Sequence, residues 1–155
     1  MHGVVTLLGA IVLAPPPALS QTSPQIVSET VVTRRDINGH DAVTERVVTH
    51  RTRSQDEDRV VIEVYQPSMQ ARRLALNQRI ERVTSQTTDG SQTVEVTEER
   101  NPVAPADPMR VVQRSLTTVR RTGPDSYVIE REIFQRDGNG RLVLVRRETE
   151  QLPAH

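Results

Sequence analysis

Between residues 26 and 150, runs rich in valine, isoleucine and threonine alternate with short clusters of glycine, proline, asparagine, aspartate or serine. β-Branched runs bounded by turn-forming residues are typical of strands joined by hairpins. The connections are too short for crossover helices, so neighbouring strands must be antiparallel. We therefore expect an all-β, up-and-down meander in an open or curled sheet. The eight predicted strands are 26–35, 42–53, 59–66, 74–87, 92–100, 110–121, 126–135 and 141–150.

One segment, 71–83, also fits a helix. Leu76, Ile80 and Val83 follow one another at i, i+4 and i+7, which is the spacing of an amphipathic helix. We favour a strand, because the corresponding segments elsewhere in the chain cannot be helical. A local helix is the alternative.

The same order of parts recurs in four units of about 34 residues. Glu29, Glu63, Glu95 and Glu130 hold the same position in successive units, at spacings of 34, 32 and 35 residues. Residues beside each glutamate point to the opposite face of the strand, so we expect that opposite face to be the apolar core. On the glutamate face, we expect ion pairs with arginines of the even-numbered strands. These are Arg46, Arg79 or Arg82, Arg114, Arg120 and Arg146.

The N-terminal segment is typical of a secretory signal peptide. An apolar run at 4–14 is followed by three prolines and by the small residues Ala18 and Ser20. The run is too short to span a membrane, and the prolines disfavour a buried strand. We expect a signal peptide at 1–20, a linker at 21–25, a β-repeat domain at 26–150 and a tail at 151–155. The processed chain would be periplasmic or extracellular, with no transmembrane anchor.

Composition excludes several kinds of function. All 20 basic residues are arginine and 20 residues are acidic, so the net charge is zero. A neutral chain lacks the positive excess that nucleic acid or an anionic membrane requires, and one phenylalanine, two tyrosines and no tryptophan provide few stacking platforms. The absence of cysteine removes disulfides, thiolate metal sites and cysteine nucleophiles. Because Leu, Ile, Val and Phe are few, we expect a thin core without a wide ligand cavity.

Connections in a meander alternate between the two ends of the sheet. Three short turns should therefore share one end, and the dissimilar loops 36–41, 67–73, 101–109 and 136–140 should share the other. Variable loops on a regular scaffold are common recognition sites. We interpret this end as a surface for a protein or cell-envelope partner; the alternative is a set of solvated connections. The candidate residues are Met69, Arg72, Arg73, Pro102, Val103, Pro105, Pro108 and Met109.

Two further features of the sequence bear on metal binding and catalysis. The D-x-N-G sequences at 36–39 and 137–140 match half of a calcium loop, although hairpin turns use the same residues. His40 and His50 are accompanied by no GxSxG or HExxH motif. We therefore expect no catalytic residue, metal or cofactor. A calcium-stabilised envelope structural protein and a small hydrolase are the two alternatives.

Turns such as DINGHD and RDGNGR and strands such as TERVVTHR are distributed over about residues 26–150. In these features the chain resembles uncharacterised exported bacterial proteins built from tandem β-hairpins. That resemblance implies no activity. The function we predict is that of a non-enzymatic, exported repeat protein acting as a structural or protein-interaction module.

Overall fold

The protein forms one antiparallel sheet in a computed structural model that describes residues 25–35, 38–68, 73–124 and 126–153. Strands that are consecutive in the chain are neighbours in the sheet, from β1 at one edge to β8 at the other. The predicted all-β, up-and-down meander is confirmed, and the sheet is open. The strands are β1 Gln25–Arg35, β2 Asp41–Arg53, β3 Glu57–Pro67, β4 Leu74–Thr87, β5 Gly90–Glu99, β6 Arg110–Gly123, β7 Ser126–Arg136 and β8 Leu142–Pro153.

β4 covers most of the segment for which a helix was the alternative, and the strand prediction is correct there. Tertiary pairing decides this, because β4 hydrogen bonds to β3 on one side and β5 on the other. Within the described ranges, no helix is long and apolar enough to cross a membrane. The predicted signal peptide at 1–20 and linker lie outside the described residues, apart from Gln25.

The sheet has a minimal core, because the described residues form no second layer against either face. Val48 in β2 is 3% exposed and is the one buried apolar side chain in the described part of the chain. Most other residues in the middle of the sheet are half-buried by their neighbours on adjacent strands. Stability must therefore come mainly from cross-strand contacts and the hydrogen-bonded ladders.

The expectation of one apolar face opposite one glutamate face is wrong. Directly paired residues share a face, so the cross-strand pairs place Glu29, Glu63 and Glu130 on the same face as Val48. Glu95 pairs with Arg82 and lies on the other face. We call these the Val48 face and the Glu95 face. Because both faces of this sheet are solvated, apolar residues gain little by lying on the same face. The spacing of the glutamates in the sequence therefore did not determine the face on which each one lies.

The expected cross-strand pairs with glutamate form at Arg46, Arg82 and Arg120. Arg146 instead pairs with Glu148 of its own strand, and the neighbouring Arg147 makes the pair with β7. Arg82 lies directly opposite Glu95, with Nη2 2.6 Å from Oε2. Further pairs join diagonal or direct neighbours across a hairpin, one of them Arg59–Glu81 at 2.6 Å, and exposed pairs of this kind each contribute about 0.2–1 kcal/mol. Three more have comparable geometry. They are Arg46–Glu29 at 2.8 Å, Arg120–Glu130 at 2.9 Å and Arg147–Glu132 at 2.5 Å.

The meander places the connections as predicted. Those after β2, β4 and β6 lie at one end of the sheet. Those after β1, β3, β5 and β7 lie at the opposite end, which we call the loop end.

Candidate functional site

At the loop end, the connection between β5 and β6 is fastened to β4 by Arg100. The Arg100 Nε–H donates to the carbonyl oxygen of Leu76 at 2.7 Å, and its backbone N–H donates to the carbonyl oxygen of Asn77 at 2.9 Å. Nη1 of the same guanidinium donates to the carbonyl oxygen of Pro105 at 2.5 Å. A single side chain thus joins the strand to the middle of the loop, and hydrogen bonds from a charged donor are stronger than neutral ones.

Two turns order the rest of this loop. The side-chain oxygen of Asn101 accepts a hydrogen bond from the Val103 N–H at 3.1 Å, and the Asn101 carbonyl accepts from the Ala104 N–H at 3.3 Å. The Ala104 carbonyl then accepts from the Asp107 N–H at 3.0 Å, and Asp107 pairs with Arg110 at 2.7 Å. Because the backbone is held on both sides of it, Val103 projects from a fixed tip and is 90% exposed.

The predicted site residues are only partly brought together. Within the loop 101–109, Pro102, Val103 and Pro108 are exposed, whereas Pro105 and Met109 are half-buried. Arg73 is exposed in the preceding loop, where its carbonyl oxygen accepts a hydrogen bond from the Ser68 N–H at 3.1 Å. Met69 and Arg72 lie outside the described residues. Sequence reasoning did not identify Arg100, whose role depends on the carbonyl groups that the fold places around it.

The D-x-N-G turn between β7 and β8 is a hairpin closed by its own aspartate. Oδ1 of Asp137 accepts hydrogen bonds from the Asn139 N–H at 2.9 Å and the Arg141 N–H at 2.8 Å. Gly140 adopts φ +82°, in the left-handed region that favours glycine. This geometry explains the motif by turn formation. Asp36 of the other copy lies outside the described residues, and the described ranges hold no group of three or more side chains able to bind a metal ion.

A polar cluster covers Val48 in the middle of the Val48 face. Val48 lies between Glu29 of β1 and Glu63 of β3, its direct partners on the two neighbouring strands. The Tyr65 hydroxyl donates to Glu63 at 2.8 Å, and the guanidinium of Arg46 lies 5.7 Å from the centroid of the Tyr65 ring while pairing with Glu29. Such a cation–π contact adds to the packing of the cluster. The long side chains thereby exclude water from Val48.

His50 belongs to the same cluster, with Nε2 3.5 Å from a carboxylate oxygen of Glu63. Burial, followed by the hydrogen bond to Glu63 and its negative charge, raises the pKa of the Tyr65 hydroxyl. The Glu63 carboxylate therefore contacts an imidazole and a phenol that holds its proton more tightly than a free tyrosine does. The serine that the small-hydrolase alternative requires is not among the described hydrogen-bond partners of this cluster.

A shallow groove of about 530 Å³ lies at the short-turn end, between the β4–β5 and β6–β7 connections. Arg121 lines it, but its guanidinium donates to the carbonyl oxygens of Gly123 at 3.0 Å and Pro124 at 2.7 Å. The cation is therefore used to order the turn.

No protein-family model matches the chain, and no curated protein matches it. Its fold is similar to the crystal structure of a protein of unknown function from Bacteroides fragilis, with a TM-score of 0.55. The two chains are 7% identical, and the similarity covers 94% of this chain and 93% of the other. At that identity the likeness shows the fold alone.

Proposed function

We propose that this protein is a non-enzymatic, exported structural or interaction module, and that the loop 101–109 presents Val103 to a protein partner in the cell envelope. The observation that carries the proposal is an apolar side chain 90% exposed at the tip of a loop whose backbone is already ordered. A preordered loop loses little conformational entropy when it binds, so more of the contact energy is retained as affinity.

The chemistry of the loop favours a protein partner. Its exposed surface combines one aliphatic tip with the rings of Pro102 and Pro108. Arg110, the cation at the end of the loop, is paired with Asp107. A partner would therefore offer an apolar pocket for Val103 with a polar rim. The zero net charge of the chain supports a protein partner over nucleic acid.

The arrangement of titratable groups supports a non-enzymatic role. Glu63 contacts both His50 and Tyr65 in the cluster above Val48. They lie on an open face of the sheet, where no wall of described residues encloses a substrate. Catalytic groups usually converge in a pocket that excludes water.

Site-specific photo-crosslinking in an envelope fraction of the producing cells tests the proposal. A photoreactive amino acid is placed at position 103, and in a matched control at Gln55, an exposed position at the opposite end of the sheet. We expect a discrete protein adduct from position 103 and none from position 55. An excess of unlabelled wild-type chain should remove the adduct, whereas an excess of the Val103→Asp chain should leave it. The proposed loop site is wrong if both positions give the same adducts or if the Val103→Asp chain competes equally well.

A further inference from the structure

The most exposed large apolar side chains are concentrated on the two edge strands of the sheet. Elsewhere in the described ranges, comparable exposure is found only at Val43 and Val103. An edge strand also carries a row of backbone N–H and C=O groups without a partner, so apolar side chains there favour the addition of another strand. The exposed set is Ile26, Val27 and Val31 on β1 and Leu142, Val143, Leu144, Val145 and Leu152 on β8.

These side chains lie on both faces of the sheet. The strand pairings place Val31 and Leu144 on the Val48 face, and Val143 on the Glu95 face. A partner that packed against one face would leave the other set exposed. A strand added at the edge covers part of both, so edge pairing explains the pattern better than stacking of two sheets.

We propose that the added strand comes from a second copy of this chain, with β8 of one copy pairing antiparallel with β1 of the next. Eight alternating strands make β1 and β8 run in opposite directions, so a copy in the same orientation continues the up-and-down order. The two edges also match in length, at 11 and 12 residues. A single β8–β1 contact therefore covers exposed apolar side chains of both edge strands.

Charge complementarity selects a register for this contact. Glu29 pairs across the sheet with Val48, and Arg147 with Glu132, so both lie on the Val48 face. Placing Glu29 opposite Arg147 joins the Arg46–Glu29 pair of one copy to the Glu132–Arg147 pair of the next, in a line of alternating charge. In an antiparallel ladder, the same register sets Val31 beside Val145, at the register shift of β8.

The contact is head-to-tail, because it joins two different edges. A pair of copies keeps one free β1 and one free β8, so the assembly grows as a row of copies unless it closes into a ring. This self-association uses the sheet edges and is independent of the loop 101–109.

Edge-blocked copies test this geometry. One variant carries Val27→Lys and Val31→Lys in β1, and the other carries Val143→Lys and Val145→Lys in β8, since charges on an edge strand oppose pairing. Mass is measured by light scattering after size-exclusion chromatography, over a range of concentrations. We expect the wild-type chain to exceed its monomer mass, which is 17.4 kDa for the unprocessed 155 residues, increasingly with concentration, and each blocked variant alone to stay at its monomer mass. An equal mixture of the two variants should give a species of twice the monomer mass, because each supplies the edge the other lacks.

Val103→Lys is the matched control, and it should associate like the wild-type chain. The proposal is overturned if the wild-type chain is monomeric throughout, if either blocked variant still self-associates, or if the mixture stays monomeric. Should a blocked variant lose the circular dichroism of the sheet, a charge exchange replaces it. Glu29→Arg and Arg147→Glu should each weaken association alone, and the doubly exchanged chain should recover it; a double variant no better than the singles contradicts the register.

Discussion

Truncating Val48 to alanine tests whether the polar cluster on the Val48 face protects a real core. Val48 is 3% exposed, so Val48→Ala removes two methyl groups from an almost dry site. At about 0.8 kcal/mol for each buried carbon, the transfer of these groups accounts for roughly 1.6 kcal/mol. A residual cavity adds to that value where the surroundings cannot collapse, so we expect a loss of about 1.5–2.5 kcal/mol in the free energy of unfolding.

The measurement is urea denaturation followed by far-UV circular dichroism. The dependence of the unfolding free energy on urea concentration is also compared between variants. Val145→Ala is the matched control, because Val145 is 52% exposed on the edge strand β8 and should lose less than about 0.5 kcal/mol. Glu63→Gln should lower the free energy of unfolding by an intermediate amount. It weakens the contacts of residue 63 with Tyr65 and His50 but leaves Val48 in place. Equal losses for Val48→Ala and Val145→Ala would refute the reasoning, because the cluster would then shield nothing.

Three further substitutions test other parts of the fold. Gly90→Ala would place its Cβ 1.9 Å from a backbone carbonyl oxygen of β6, so it should lose about 1–3 kcal/mol on denaturation, whereas Gly138→Ala meets nothing within 4 Å and should be near neutral. The hydrogen bond from Arg51 holds the pKa of the Asp58 carboxyl below its usual value of 3.8, so the ionised form stabilises the fold above that pH. Asp58→Asn should therefore lower stability by about 0.5–1 kcal/mol at neutral pH, and pH-dependent denaturation should show the difference vanish as pH falls through the lowered pKa. Arg100→Ala should accelerate amide hydrogen exchange in the loop 101–109 and leave the central strands unchanged, because the fastening of that loop to β4 is lost.

The strands and their order were predictable because local signals and connection lengths agree. β4 Leu74–Thr87 coincides with its predicted range, although the segment alone also fits a helix. The edge strand β8 extends three residues beyond its prediction, because pairing with β7 continues through Pro153. Short connections then leave antiparallel neighbours as the only simple topology.

The distribution of side chains between faces was not predictable from spacing. The third repeated glutamate, Glu95, lies on the opposite face to the other three. A strand alternates faces with every residue, so small differences in loop length and β-bulges reverse the face without disturbing the sequence pattern. Register shifts, from β-bulges or other irregularities, interrupt five of the seven strand pairings. The cluster over Val48 and the fastening by Arg100 depend on this register, which is why neither emerged from the sequence.

An open sheet without a second layer is held together by contacts between neighbouring strands, so its two edges need not be equivalent. β1 contributes Glu29 to the cover of Val48, and its departure would open the one buried side chain in the described chain to water. β8 covers no buried side chain, and its pairs with β7 include the exposed Arg147–Glu132 contact. The β8 edge can therefore adjust its position at a smaller loss of stability than β1. In the proposed assembly, this makes β8 the adaptable side of the junction and β1 the fixed template on which the next copy aligns.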